Sequence, residues 1–413
     1  MKKKILFLVE NVTTAHFARS IYLANAFPEV TYDIYFASNS YEKLMVHATR
    51  KINFLTLSFH CDKAHFDNSV NNWNSPLSED YFRKAIASDL VLIDEVKPSL
   101  VIGDFRLSLL VSAKKMNIPY LNLSNVCWDP DLKLPLKIPH HRWFLVIGDF
   151  IMRNTLKVLT PMVERMMLSG MNKVLVEHGV TPYKRMGPFH LSGDYAIMLD
   201  YPDLIERQKT HDKNNYIYIG PTFFSIASNN KIEIKKTMGS KNILVSMGSS
   251  GDLSILKKLL KYLEKTNYNV VILTAGRIQL SSDKPNITIT DFYPFDSSLK
   301  NFDLMITNGG APSNNAAFIN GVISLMIPTN PDQVYNSSFI EEAGLGRVLE
   351  SHFLSEKNLT KALSDLLTSS EVKNKILSTA EKYADFDSRK NIVTVVEKIL
   401  QKGKFSPEKV IAT

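Results

Sequence analysis

An α/β architecture in two successive parts, each a doubly wound parallel sheet, is predicted by three features of the sequence. Short apolar runs alternate along the chain with segments of helical spacing, the alternation that builds βαβ units. At 413 residues the chain exceeds one ordinary core and implies two domains. Turns rich in glycine and small residues follow apolar runs near Gly248 and Gly309, where a parallel sheet presents its ligand-binding edge.

Taken in order, Ile5 to Val9, Ile34 to Ala37, Leu100 to Ile102 and Tyr120 to Leu123 read as strands buried on both faces, because their apolar residues run without alternation. Phe17, Ala18, Ile21, Tyr22 and Ala26 repeat at helical spacing after the first, as do Leu109, Leu110, Ala113 and Met116 after the third. This N-terminal domain is assigned residues 1–220. The polar stretch from Tyr216 to Asn242, with Gly220-Pro221 and Ser228-Asn229-Asn230, holds a linker at 221–242. The second domain, 243–385, has strands at Ile243 to Met247, Val270 to Thr274, Ile287 to Thr290, Leu304 to Thr307 and Ile323 to Ile327. A helical tail, 386–413, completes the chain.

Composition narrows the function classes. The chain is 45% hydrophobic and 22% charged, a globular balance. Cys61 and Cys127 make neither a disulfide framework nor a metal cluster, so a reducing compartment is expected. The Lys2-Lys3-Lys4 start resembles a signal peptide, but Glu10 interrupts the apolar run that follows. No stretch approaches the ~20 apolar residues of a membrane span, so the expected location is cytoplasmic or peripheral at the inner face of a membrane. A net charge of +8 suits an anionic partner or a lysine-rich solvated surface. No nucleic-acid recognition motif accompanies that charge, which disfavours nucleic acid.

The motifs follow the strands. Leu304, Met305 and Ile306 lead into Asn308-Gly309-Gly310-Ala311-Pro312-Ser313-Asn314-Asn315-Ala316, where bare backbone amides at a helix start can meet a diphosphate. The run from Val322 to Ile327 ends in Pro328, Asp332, Gln333 and Asn336, groups suited to gripping sugar hydroxyls. Ser246-Met247-Gly248-Ser249-Ser250-Gly251-Asp252 is a second small-residue turn before a helix, and Asp291-Phe292-Tyr293-Pro294 follows another strand. Core packing is the plain alternative for Phe292 and Tyr293. In the first half, His16 opens a helix after the first strand and Asp104 follows a later strand. Imidazole titrates near ~6.5, and a carboxylate behind it fixes its tautomer, so the pair suits a general base.

These residues resemble the donor-binding signature of the family 1 glycosyltransferases, the UDP-glycosyltransferase and macrolide glycosyltransferase group. Gly309, Gly310, Gly321, Val322, Pro328, Asp332, Gln333 and Asn336 fall on the family pattern. Asn308 replaces its His, Pro312 its Gly or Asn, and Ala316 the Glu that holds the ribose. The resemblance implies the GT-B fold, two facing Rossmann-like domains with an interdomain cleft, and a final segment from Glu381 to Gln401 that crosses back to the first domain. It implies donor binding by Ser249, Ser250, Asn308, Gly309, Gly310, Ser313 and Asn314, with Phe292 and Tyr293 at the base. Asp332 and Gln333 would hold the sugar, Asn336 supporting their loop, and Asn314 or Asn315 would reach the ribose in place of Ala316. His16 becomes the base and Asp104 its orienter, although the family's Gly-His-x-x-Pro is absent and Arg19 stands near the proline position.

The implied reaction is inverting transfer from a nucleoside diphosphate sugar, UDP first, to an acceptor hydroxyl. It is expected to need no metal or other cofactor, the leaving group being stabilised by helix amides around Ser249 and Gly310. Between Trp128 and Gly179, His140-His141-Arg142-Trp143-Phe144 precedes Met152, Leu156, Leu159, Val163, Met166 and Met167. Core packing is the default for that stripe, and an acceptor wall or membrane face the functional reading. Asp129-Pro130-Asp131 lacks the context of a metal-binding Asp-x-Asp, and Gly344-Leu345-Gly346 lacks the third glycine of a dinucleotide fingerprint. Two alternatives stand beside this reading: a peripheral enzyme with a lipid-linked acceptor, and a non-catalytic nucleotide-sugar-binding protein.

Overall fold

The structure, a computed structural model, describes residues 2–402 except 11, 40–44, 46, 63, 65, 67, 68, 70–76, 133, 136, 138–148, 206–214, 223–239, 249 and 296. The described residues divide into two compact units, drawn from Met1–Leu132, Leu156–Thr222 and Phe386–Thr413 for the first, and from Lys133–Thr155 and Phe223–Asp385 for the second. The described residues 149–155, counted by the sequence reading with the first half, thus group with the second.

The first unit opens with β1 (Lys3–Val9), α1 (Thr14–Ala24), β2 (Tyr32–Ser38) and β3 (Ile52–Thr56). It continues through α2 (Glu79–Val96), β4 (Leu100–Asp104), α3 (Leu109–Lys115) and β5 (Tyr120–Ser124). Then come α4 (Asp149–Glu177), α5 (Met186–His190), β6 (Tyr195–Met198) and β7 (Tyr216–Tyr218). The strands form one parallel sheet in the order β3-β2-β1-β4-β5-β6-β7. The order reverses between β1 and β4, the switch point where connections leave in opposite directions and open a crevice at the carboxyl ends. Tyr216–Tyr218, at the start of the stretch read as linker, is the edge strand of this sheet.

The second unit contains β8 (Asn242–Ser246), α6 (Leu253–Leu263), β9 (Asn269–Leu273), β10 (Ile287–Thr290) and β11 (Leu304–Thr307). It continues through α7 (Ala311–Ile319), β12 (Ile323–Met326), α8 (Pro331–Glu342), β13 (Gly346–Val348), α9 (Glu356–Thr368) and α10 (Ser370–Lys382). Its sheet is also parallel, β10-β9-β8-β11-β12-β13, with the reversal between β8 and β11. The helix α6 shows why these segments fold locally: Ile255, Leu256, Leu259, Leu260 and Leu263 bury one face, and the Asp252 side chain accepts from Ser254 N–H at 2.6 Å to cap it. Such a cap contributes about 1 kcal/mol.

The last helix, α11 (Ser388–Lys402), returns to the first unit. Ile392, Val395, Val396 and Ile399 are buried. Ser388 Oγ donates to the Pro221 carbonyl at 2.9 Å, Asn391 Nδ2 donates to the Ile219 carbonyl at 3.1 Å, and the Arg389 guanidinium lies 5.4 Å from the Tyr22 ring.

Candidate functional site

In the first unit the switch point brings His16 and Asp104 together. Register pairs Val9 with Asp104, and Glu10 N–H donates to the Asp104 carbonyl at 3.0 Å, so the loop after β1 lies beside the end of β4. The chain then turns into α1, whose first turns present His16, Arg19 and Ser20 to the carboxylate. His16 Nδ1 is 2.7 Å from Asp104 Oδ1, Arg19 Nε donates to Oδ2 at 2.6 Å, Arg19 Nη2 donates to Oδ1 at 2.5 Å, and Ser20 Oγ donates to Oδ2 at 3.0 Å. With Asp104 ionised, its only role is acceptor, which favours the tautomer with the proton on Nδ1 and the lone pair on Nε2. Burial pushes the Asp104 carboxyl up, but the charges and hydrogen bonds of Arg19 and His16 outweigh it and bring it down to about 2.

Rings pack around the imidazole. His16 stacks on Phe105 at 5.4 Å, Phe105 on His190 at 5.6 Å, and His190 on Trp128 at 4.2 Å. Burial, then the charges of His16 and Arg19, lowers His190 to about 3, so it is a neutral ring in this wall. Phe105 has φ 55°, a region that costs a bulky residue energy and is held only by strong surroundings. Those surroundings include a buried ionic cluster. Arg106 donates to Glu10, and through Nε to Asp89 Oδ1 at 2.8 Å, while Tyr81 Oη donates to Glu10 Oε2 at 2.6 Å.

In the second unit the loops after β8, β11 and β12 meet at one hydroxyl. Ser250 Oγ accepts from Asn308 Nδ2 at 3.4 Å and from Gln333 Nε2 at 3.3 Å. Arg277 Nη1 donates to the carbonyls of Gly248 at 3.1 Å and Gly251 at 2.7 Å, fixing the first of these loops. Asn336 Nδ2 donates to the Gly309 carbonyl at 2.7 Å. Gly309 has φ 85°, and a Cβ there would lie 2.0 Å from Ser337 Oγ, so glycine is required for both conformation and space.

Several expected roles change. The Gly309 and Gly310 amides are not bare: Gly309 N–H donates to Thr307 Oγ1 at 3.0 Å and Gly310 N–H to Asn308 Oδ1 at 3.1 Å. No side chain caps α7, and the first-turn amides that could meet an anion are those of Ala311 and Ser313. Asn314 is buried and turned inward, accepting from Thr307 Oγ1 at 2.8 Å, so its side chain does not replace the missing ribose ligand. Tyr293 belongs to the core, edge-on to Phe302 at 5.3 Å, whereas Phe292 is 48% exposed and keeps its ring available. Gln333 Oε1 accepts from Thr329 N–H and Oγ1, both at 2.9 Å, so this residue ties loops together while Asp332 stays exposed beside it. Asn336 supports the glycine pair rather than the Asp332 loop. Ser249 and the His140 to Phe144 cluster lie outside the described residues.

Sequence reasoning passed over Arg19, Ser20, Asn125 and Arg277. The spacing of His16, Arg19 and Ser20 on one helical face is the signal that would have found the first two. Of the stripe on α4, Leu156 is buried, while Leu159 and Met166 are exposed, as are Val158 and Met162. Among the described residues no helix is long and apolar enough to cross a membrane.

Two doubly wound parallel sheets define the class: the chain has the GT-B fold and resembles the family 1 glycosyltransferases. Residues 242–391 match the glycosyltransferase family 28 C-terminal domain. The chain is 26% identical over 391 residues to a PGL/p-HBAD biosynthesis rhamnosyltransferase of Mycobacterium bovis (strain BCG / Pasteur 1173P2), covering 92% of this chain and 84% of that protein. Among solved structures it is similar to the calicheamicin glycosyltransferase CalG4, with TM-score 0.72 and 16% identity over 97% of this chain and 99% of that one. It is also similar to SsfS6 of Streptomyces sp. SF2575 complexed with thymidine diphosphate, with TM-score 0.63 and 15% identity over 96% and 99%.

The two glycines separate conformation from space. Gly309→Ala is expected to lower the melting temperature, since the left-handed backbone alone costs about 1–2 kcal/mol. Gly310→Ala, at φ −68° with its nearest contact at 3.3 Å, is expected to be milder. Melting curves of the two variants check the pair.

Proposed function

We propose that the protein is an inverting glycosyltransferase that moves a sugar from a nucleoside diphosphate to an acceptor hydroxyl, without a metal. The observation that carries this reading is the His16 Nδ1 to Asp104 Oδ1 contact of 2.7 Å at a sheet switch point. His16 Nε2 takes the acceptor proton, the acceptor oxygen attacks the anomeric carbon from the face opposite the leaving group, and the nucleoside diphosphate departs with its electrons. The imidazolium formed is stabilised by Asp104. The departing charge falls to the first-turn amides of α7 and the loop held by Ser250, a preorganised backbone site. Phe292 supplies the exposed ring for the base.

Thymidine diphosphate as carrier is supported by the SsfS6 complex, and rhamnose as sugar by the name of the mycobacterial relative. UDP remains the comparison. A lipid-linked acceptor is the second reading, favoured by the α4 face, where Val158, Leu159, Met162 and Met166 are exposed beside the exposed cations Lys157 and Arg165.

His16→Ala is expected to bind thymidine diphosphate as the parent does in calorimetry, yet to release it from TDP-rhamnose at least about 100-fold more slowly, with 4-methylumbelliferone or water as acceptor. Undiminished release would remove His16 from the mechanism. For the second reading, sedimentation with phosphatidylglycerol vesicles is expected to retain the parent and to lose Val158→Ser/Met162→Ser. Equal recovery of both in the supernatant would leave only soluble acceptors.

A further inference from the structure

The inference rests on the reading of His16 as base and extends it. Arg19 follows His16 by one helical turn on α1, and its side chain is 13% exposed against 0% for Asp104. Its guanidinium forks across both carboxylate oxygens, Nε to Oδ2 at 2.6 Å and Nη2 to Oδ1 at 2.5 Å, the geometry that only a planar guanidinium supplies. Nη2 also lies 3.0 Å from His16 Nδ1. Nη1 donates to Asn125 Oδ1 at 3.1 Å, and Asn125 Nδ2 in turn donates to Asp200 Oδ2 at 3.2 Å. Arg19 is therefore braced from behind while it holds Asp104 in front.

A carboxylate removed from water needs a partner that is always charged. His16 is not such a partner, because general-base action requires it neutral at rest. The other titratable groups around Asp104 do not help: Tyr120 of β5 and His190 of α5 are neutral, and Asp200, beyond Asn125, is an acid that burial raises to about 6. Arg19 is the permanent cation in contact with Asp104 among the described residues. We propose that Arg19 is a positioning residue of the reaction, a fixed cation that keeps Asp104 ionised and aims its Oδ1 at His16, so that the base stays oriented in mildly acidic solution.

The Asp104 carboxyl is held down to about 2. Without Arg19, the strongest opponent to burial is lost and the carboxyl rises, so that as pH falls Asp104 takes a proton earlier and His16 loses its acceptor. The acid limb of kcat/KM must then move to higher pH.

The test uses the full chain with TDP-rhamnose, following thymidine diphosphate release with 4-methylumbelliferone or water as acceptor. Arg19→Met is expected to lower kcat at least about tenfold with donor KM unchanged, and to move the acid limb upward by about one pH unit or more. Arg19→Lys keeps the charge but loses the fork, so kcat should fall while the acid limb stays. Parent kcat and acid limb in Arg19→Met would overturn the proposal, as would an acid limb displaced equally in both variants. Should Arg19→Met fail to fold, Arg19→Lys decides alone: a displaced limb overturns the proposal, and an unmoved limb with reduced kcat sustains it. Release undiminished in His16→Ala would instead remove the base reading itself, whereas an inactive His16→Ala beside an unchanged Arg19→Met removes only the role of Arg19.

Discussion

The Asp104 carboxylate joins the end of a central strand to the first helix, and the properties of the candidate base depend on that junction. Three side chains of α1 converge on it. The next two residues are anchored as firmly, Phe105 by stacking between His16 and His190, and Arg106 by Glu10 and Asp89. Both ends of the pair are thus tied to the same place, since Glu10 closes the strand that leads to His16. A buried ionic cluster of this kind gives little net stability when complete, but removing one partner costs about 3–5 kcal/mol. Its presence under a candidate catalytic loop is consistent with specifying geometry.

The second unit solves a similar problem mainly with neutral side chains, Arg277 being the charged member. Ser250, Asn308 and Gln333 link the loops of three different strands through hydrogen bonds, and Asn336 holds the Gly309 carbonyl. Side-chain oxygens of Thr307 and Asn308 occupy the glycine amides, which fixes the turn and leaves the first turn of α7 as the electropositive feature. Asn308, standing where the resembled family has His, is a structural member of this turn. Ala316 is buried in the core beside Leu244 and Met305, so the ribose position of the family has no counterpart there.

The doubly wound sheets were legible because buried parallel strands write themselves as continuous apolar runs, as in Ile5 to Val9 and Leu304 to Thr307. Edge strands were not. The strand β3 is only half-buried and β7 spans three residues, too little periodicity for either to stand out from a loop. His16 and Asp104 were readable because each follows a strand at the switch point. Arg19 was readable only as a neighbour of His16 on one helical face, and Asn125 and Asp200 were not readable, because contacts such as Arg19 to Asn125 span 106 positions of sequence and depend on packing. Tyr293 and Asn314 show the converse limit: a residue type suited to a ligand, at a suitable position, can spend its polar atoms inside its own domain.

The most direct test of the junction is the protonation of the His16 ring, read by nitrogen-15 NMR on the full chain at neutral pH, with His16→Gln to assign the signals. The expected result is a single neutral tautomer with the proton on Nδ1, its resonance shifted downfield by the bond to Asp104. A ring protonated on Nε2, or one averaging between tautomers as a solvated histidine does, would contradict the account.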